Sequence, residues 1–413
     1  MSGVSCDISA ASSNIPVPSQ PVLLFMLIAY PILTIVGSIG NLLSAFILHP
    51  FRTHVSGHVY LACLAIFDTL SLIFNLISFW NMLILKRYLI EKNDIQAVHN
   101  IDRLFGSKGV CEIRVYLSFT VRMWSVWTVV ILTTERFLLI LFPLRFQKFL
   151  SPKVAWITIG CSTFLIGLIS LPWLFSFSYV VQKDCSASSN AIKTSAQTPS
   201  VYELCTPNNV YRVLRLMQIP LIVLLPGIIL TFENTKIAFT LAKRRGQWMS
   251  SSFAVHGSSN SVKNCNQQSG SDNRIDSVNV NNPMAECHRQ AKEQENRLTL
   301  QLLIVSCTFW ILSMPSLIFV GLRALAENAN SAHHVSETFA NGYYVSWFLY
   351  QLNMCIDFFI YCVVGSTFRE TLWALLERDW SRFHRLRNTL CKGRLIDSRE
   401  CVTATTSDSR RLN

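Results

Sequence analysis

Two carboxylates stand inside apolar runs of this chain, Asp68 in LACLAIFD and Asp357 in NMCIDFFIY. With Asn41, Ser125 and Asn353 they form a set of polar groups that are each costly in an apolar medium and therefore turn towards the interior of a bundle. Oxygen ligands suit hard cations, so the leading expectation is a hydrated cation site, most simply sodium, held by Asp68, Ser125, Asn353 and Asp357. Two alternatives stand beside it. Either one Asp is protonated and the pair only hydrogen-bonds between helices, or the pair relays protons. No residue set suggests covalent catalysis, so no enzyme is expected, and apart from sodium no cofactor.

A second set lies in TTERFLLILFPLRF, where Glu135 and Arg136 interrupt an apolar stretch. A charge deep in hydrocarbon is expensive, so this pair sits at a membrane surface or is held by a partner. Glu295 stands 20 positions before Pro315, which in a helix is about 30 Å. A bridge from Arg136 to Glu295 would tie two helices together and break if one swung at its proline, giving the two states a switch requires. The alternative is that both are solvated interfacial charges.

A third set is rich in arginine. Arg114 and Arg122 are eight positions apart and so lie near one face of a helix. Arg212, Arg215 and Arg323 flank other apolar runs. Buried arginine favours carboxylate, phosphate or carbonyl partners, whether on a ligand or on Glu112, Glu203, Glu327 or Glu337. Tyr343, Tyr344, Trp347, Tyr350 and Gln351 add an aromatic and polar wall. With Ser118 and Gln218, the set Arg114, Arg122, Tyr343, Tyr344, Trp347 and Gln351 is the candidate ligand pocket.

These residues are carried by seven runs long enough to cross a bilayer, at about 22–48, 59–85, 111–141, 153–178, 211–241, 297–325 and 339–364. The chain is 51% hydrophobic and 15% charged, with a mean hydropathy of +0.35, a membrane composition rather than that of a soluble domain. Its net charge of +12 comes from Lys and Arg between apolar runs, with no pattern for nucleic acid. Arg52, Arg145, Lys148, Lys153, Lys243, Arg244, Arg245 and the tail after Arg378 fall on one side, which the positive-inside rule makes cytoplasmic. The amino terminus is thus expected outside. The fold class is an all-α membrane protein, a seven-helix bundle with a short amphipathic helix over STFRETLWALLERDW.

The organisation expected is a short extracellular segment at 1–21, a membrane domain at 22–378, and a cytoplasmic tail at 379–413. The membrane domain includes a disordered Ser- and Asn-rich loop at about 243–292, and the first outer loop occupies about 86–110.

In order along the chain stand Gly40 and Asn41, Leu64 with Ala65 and Asp68, Cys111, Glu135-Arg136-Phe137, Pro143 and Leu144, Trp156, Pro226, Phe309 with Pro315, Asp357 to Tyr361, then Phe368 and Arg369. This ordered set resembles the class A, rhodopsin-like, G-protein-coupled receptors over residues 22 to 378. The resemblance implies that Asp68, Asn353 and Asp357 match family sodium-site positions, with Ser125 at the corresponding depth. It implies that Arg136 contacts the G protein, that Tyr361 rotates inward on activation, and that Phe309 and Pro315 form the sixth-span switch. It also implies that Cys111 is bridged to the second outer loop.

Departures from the pattern are specific. Ser313 replaces the usual Trp before Pro315, with Trp310 displaced to another face; Asp357-Phe358 replaces Asn-Pro; Asn234 stands where many members have Tyr. Ser118 occupies the place of the Asp that amine receptors share, which speaks against a monoamine. The seventh-span IDFFIYCVVGSTFRE is similar to invertebrate neuropeptide receptors of the FMRFamide-like type.

Four cysteines fall on the outer side, Cys6, Cys111, Cys185 and Cys205, allowing three pairings. Cys111 with Cys205 is preferred because VYEL before Cys205 can pair with FSYVV as a hairpin, leaving Cys6 with Cys185. The function expected is transduction of an extracellular ligand, a neuropeptide, into activation of a heterotrimeric G protein at the plasma membrane. Receptor kinases and arrestin are further expected partners, and the tail sequence TATTSDSRR offers hydroxyls for phosphorylation. A lipid or small organic acid read by Arg122 is the alternative ligand, and an ion-coupled transporter using Asp68 and Asp357 the alternative class.

Overall fold

The computed structural model describes residues 18–48, 56–107, 109–146, 151–183, 201–259, 283–328, 336–364 and 366–392. Six helices are each long and apolar enough to cross a bilayer: Gln20–Ile47, Ser56–Glu91, Val110–Leu141, Pro152–Phe175, Asn209–Lys243 and Leu303–Arg323. The seventh, Glu337–Val364, qualifies together with the helix that follows it after a 94° bend. It is diluted by Asn341, Gln351, Asn353 and Asp357, polar groups that a span tolerates when they face the bundle.

The first helix starts at Ser19, whose backbone N–H donates to Asn341 Oδ1 at 2.7 Å, and has proline in its first turn, where a missing N–H costs nothing. It packs closely on the seventh. A Cβ at Gly40 would lie 2.8 Å from the Phe358 ring, and one at Gly37 would overlap Cys355 Sγ. The second helix widens into π-helical turns over Leu76–Leu85, and the fifth does so over Pro220–Leu224. Such turns free carbonyls from the helical ladder. In the fifth helix Leu221 O accepts from Trp127 Nε1 of the third at 3.1 Å. The third helix is the most enclosed of the six, and the fourth the least.

Between the fourth and fifth helices, strand β1 (Phe177–Lys183) pairs antiparallel with β2 (Val201–Pro207), setting Tyr179 opposite Cys205. This is the hairpin expected from FSYVV and VYEL. It defines one end of the bundle, and Arg136 marks the other. An apolar cluster fills the middle around Phe119, Met123, Ile222, Val305 and Phe309. An aromatic cluster of Tyr30, Phe79, Tyr343 and Tyr344 packs towards the hairpin end.

Three expectations change. Residues 86–110 are largely helical: the second helix runs to Glu91, and another helix, Ile95–Phe105, follows, capped by Asp94, whose Oδ1 accepts from the Ala97 N–H at 3.0 Å. Lys86 ties the two through Asp102 at 2.6 Å. The stretch 243–292 is helical at both margins, because the fifth helix continues to Ser259 and the sixth begins at Pro283; the residues between lie outside those described. Finally, the segment beyond 378 does not leave the bundle at once. After the juxtamembrane helix Ser366–Leu376 comes a tail helix, Trp380–Lys392, whose Phe383 is fully buried.

Candidate functional site

Asp68 is 1% exposed and accepts a hydrogen bond from Ser125 Oγ on the third helix. The Asp357 carboxyl comes within hydrogen-bonding range of it. Asp68 Oδ2 receives no hydrogen from a protein donor, so the two carboxyls can share only a proton or a cation. Asn353, one helical turn before Asp357, is half-buried, and no hydrogen bond links it to either carboxyl among the described residues. Its neighbour Met354 enters the site, with Sδ 3.3 Å from Ser125 Oγ and its carbonyl accepting from Asn41 Nδ2 at 2.9 Å. A thioether is a soft group and a poor ligand for a hard cation. The oxygens that fit sodium are therefore those of Asp68, Asp357 and Ser125, with water needed to complete any shell.

At the other end Arg136 is 3% exposed, enclosed by the bundle rather than solvated. The cause is Gly57 on the second helix. Any Cβ there would overlap the guanidinium, so the absent side chain makes the recess that Arg136 fills. Glu135 Oε1 lies 3.9 Å from Arg136 Nη2 and accepts from Ser56 Oγ at 2.6 Å. The Glu295 side chain lies outside the described residues, so its bridge to Arg136 rests on the sequence. One carboxylate the sequence reading passed over is Glu233, which is buried on the fifth helix and accepts from Thr134 Oγ1 at 2.7 Å, its second oxygen unpartnered. Its signal was available: an acidic residue in the apolar run PGIILTFENTK. Tyr361 is fully buried with its hydroxyl unpartnered, and its ring packs 5.9 Å from Phe368.

Between these levels the fifth and sixth helices meet at Trp310, whose Nε1 donates to Gly227 O at 3.0 Å. A Cβ on Gly227 would overlap the indole. Ser313, in the place of the usual Trp, is fully buried with no partner for its hydroxyl. Phe309 is buried, and Pro315 lies within the sixth helix.

Towards the hairpin, Arg122 donates from Nε to Ser118 O at 2.8 Å and lays its guanidinium over the Trp347 ring, 5.3 Å from the centroid. With Gln218, Ser316 and Tyr350 these residues line a cavity of about 30 Å³, room for roughly one water. Trp347 Nε1 and the Tyr350 hydroxyl are buried without partners. No carboxylate pairs with Arg122 among the described side chains.

Three residues of the expected pocket turn elsewhere. Ser118 is buried against the second helix, bonded to Ser78 Oγ and to Phe74 O at 3.1 Å. Gln351 is fully buried at the centre of a network, accepting from Tyr30 at 3.2 Å and Asn75 at 3.1 Å and donating to Thr34 at 3.3 Å. Tyr344 packs on Phe79, centroids 5.8 Å apart. Tyr343 stays near the mouth beneath Arg323, 5.1 Å away. Arg114 places Nη2 3.8 Å from the sulfur of Cys111, which is disulfide-bonded. The side chain of Cys205 lies outside the described residues.

The profile described as 7 transmembrane receptor (rhodopsin family) matches residues 40–361, most of the chain, and the chain belongs to that family. Its members are G-protein-coupled receptors, not enzymes, and this is a multi-pass membrane receptor. No curated protein matches the chain.

Proposed function

We propose that this receptor sits in the plasma membrane with its amino terminus outside and converts the arrival of an extracellular peptide into nucleotide exchange on a heterotrimeric G protein. The observation that carries the ligand reading is the group of donors around Arg122, whose one-water cavity must widen to admit a ligand. It gathers the guanidinium, an indole N–H and a phenol, with Gln218 alongside, and no carboxylate answers them among the described side chains. Buried donors of this kind select a ligand group rich in acceptors. The carboxyl or amide end of a peptide is such a group, and Tyr343 under Arg323 supplies contact surface higher up. The likeness of IDFFIYCVVGSTFRE to FMRFamide-like receptors points the same way.

A small organic acid or lipid carboxylate would satisfy the same donors, so it is the second reading. Arrestin and receptor kinases are the further partners proposed for the phosphorylatable tail. A sodium ion, where present, would rest on Asp68, Asp357 and Ser125. The Cys111–Cys205 bridge is proposed from the hairpin register, which brings Cys205 into β2.

The test is G-protein activation in cells expressing the chain, challenged with short amidated peptides and small acids. Arg122→Gln and Arg136→Ala are the controls. A peptide response lost in both variants supports the reading. A response to acids alone replaces the ligand class, and a peptide response unchanged in Arg122→Gln removes Arg122 from recognition.

A further inference from the structure

The tail helix is not accounted for by ligand binding or by G-protein coupling. Its Phe383 is 0% exposed and stacks on Phe46 in the last turn of the first helix, with ring centroids 5.8 Å apart and planes at 11°. Leu386 joins the same apolar cluster, beside Ile47 and Ala374. The helix is thus pinned to the rim of the bundle, at the depth where a span ends. Arg378, in the left-handed region at φ 59°, makes the turn that returns the chain there.

What the juxtamembrane and tail helices together turn outward is of two kinds. Trp373, Leu376 and Trp380 are 59%, 60% and 54% exposed across the juxtamembrane and tail helices. Indole and leucine side chains at a span end belong at the membrane interface. Beside them, residues 378–392 carry Arg378, Arg382, Arg385, Arg387 and Lys392 against a single acid, Asp379. Arg382 is 47% exposed and only loosely paired with Glu377 at 3.6 Å. The 94° bend after the seventh helix lays the juxtamembrane helix across the bundle axis, so Trp373 and Leu376 lie beside the start of the tail helix, where Arg378, Arg382 and Arg385 are exposed.

We propose that the tail helix docks onto anionic phospholipid headgroups, with Trp373, Leu376 and Trp380 entering the interface and Arg378 and Arg382 reading the lipid charge. Aromatic anchors alone would suit any bilayer; the run of cations selects a negative one. On the orientation proposed above, this face meets the cytoplasmic leaflet, where anionic lipids reside.

The test is amide hydrogen exchange of residues 377–392 in the full-length receptor, reconstituted in nanodiscs of phosphatidylcholine alone or with phosphatidylserine. Both leaflets then have the same composition, so the result is independent of orientation, of ligand and of G-protein choice. Exchange is expected to be about tenfold slower with phosphatidylserine. That difference should vanish in about 1 M salt, where the Debye length falls to about 3 Å. It should also vanish in the R378N/R382Q variant, where asparagine tolerates the left-handed turn. Trp380→Ala should weaken protection in both lipids. Equal exchange in the two lipids overturns the proposal, as does a difference that survives R378N/R382Q. Protection that appears only when a G protein is added also overturns it and assigns the face to protein.

Discussion

The first and seventh helices lie along one another, whereas the fifth and sixth touch at few points. Gly37 and Gly40 leave no room for a methyl group between the first pair, and Asn41 Nδ2 and the Gln351 amide find partners across the contact. Between the second pair, Trp310 rests on the Gly227 carbonyl in one close contact, and Ser313 keeps its buried hydroxyl unpartnered. Close packing along a whole contact, cross-linked by hydrogen bonds, fixes one arrangement. The contrast separates a fixed frame from a pair of helices prepared to move, with Pro315 in the mobile one.

The sharpest way to break the comparison is to overpack the frame. Gly37→Leu should remove most folded receptor from the cell surface, since forced insertion into a packed contact costs about 1–3 kcal/mol or more; surface immunostaining reads this, and normal expression would refute the tight frame. Next, Arg136→Ala should abolish agonist-driven nucleotide exchange while leaving surface expression intact, and normal exchange would remove Arg136 from coupling. On the mobile side, Gly227→Ala should displace the Trp310 indole and change agonist-independent exchange several-fold with little loss of expression. A collapse in expression like that of Gly37→Leu would erase the distinction. Glu295→Ala should raise basal exchange more modestly if that carboxylate holds Arg136, and unchanged basal activity would return it to a solvated charge. The smallest effect is expected of Met354→Ser, which adds a hard oxygen beside Ser125 and should strengthen the sodium dependence of ligand binding. Identical sodium responses in variant and parent would separate this polar core from cation binding.

Much of the architecture was legible because a bilayer demands long apolar helices, and the ends of the first, third and seventh runs fall within two residues of the helices found. Charges inside those runs were equally legible, since Asp68, Asp357 and Arg122 stand out against their surroundings. The faces they present were less so. Met354 is one residue on from Asn353, and its sulfur on Ser125 is a contact that a hydrophobic residue in an apolar run does not announce. Ser118 and Gln351 are polar in the sequence whether they face a ligand or another helix; only the positions of Ser78, Tyr30 and Asn75 decide. The burial of Arg136 depends on what Gly57 lacks, a feature of another helix that the sequence near Arg136 does not contain. The tail helix was obscured by brevity, because a single buried aromatic, Phe383, fixes it to Phe46.

The π-helical turns at Pro220–Leu224 also bear on how this chain can vary over time. They lie between Gln218, which lines the Arg122 cavity, and Gly227 and Glu233, which meet Trp310 at mid-depth and Thr134 nearer the coupling end. A wide turn accommodates one residue more than the regular spiral, so it acts as a slip joint. Residues above it can be selected for a new ligand without rotating those below, and the coupling half keeps its facing while the recognition half drifts.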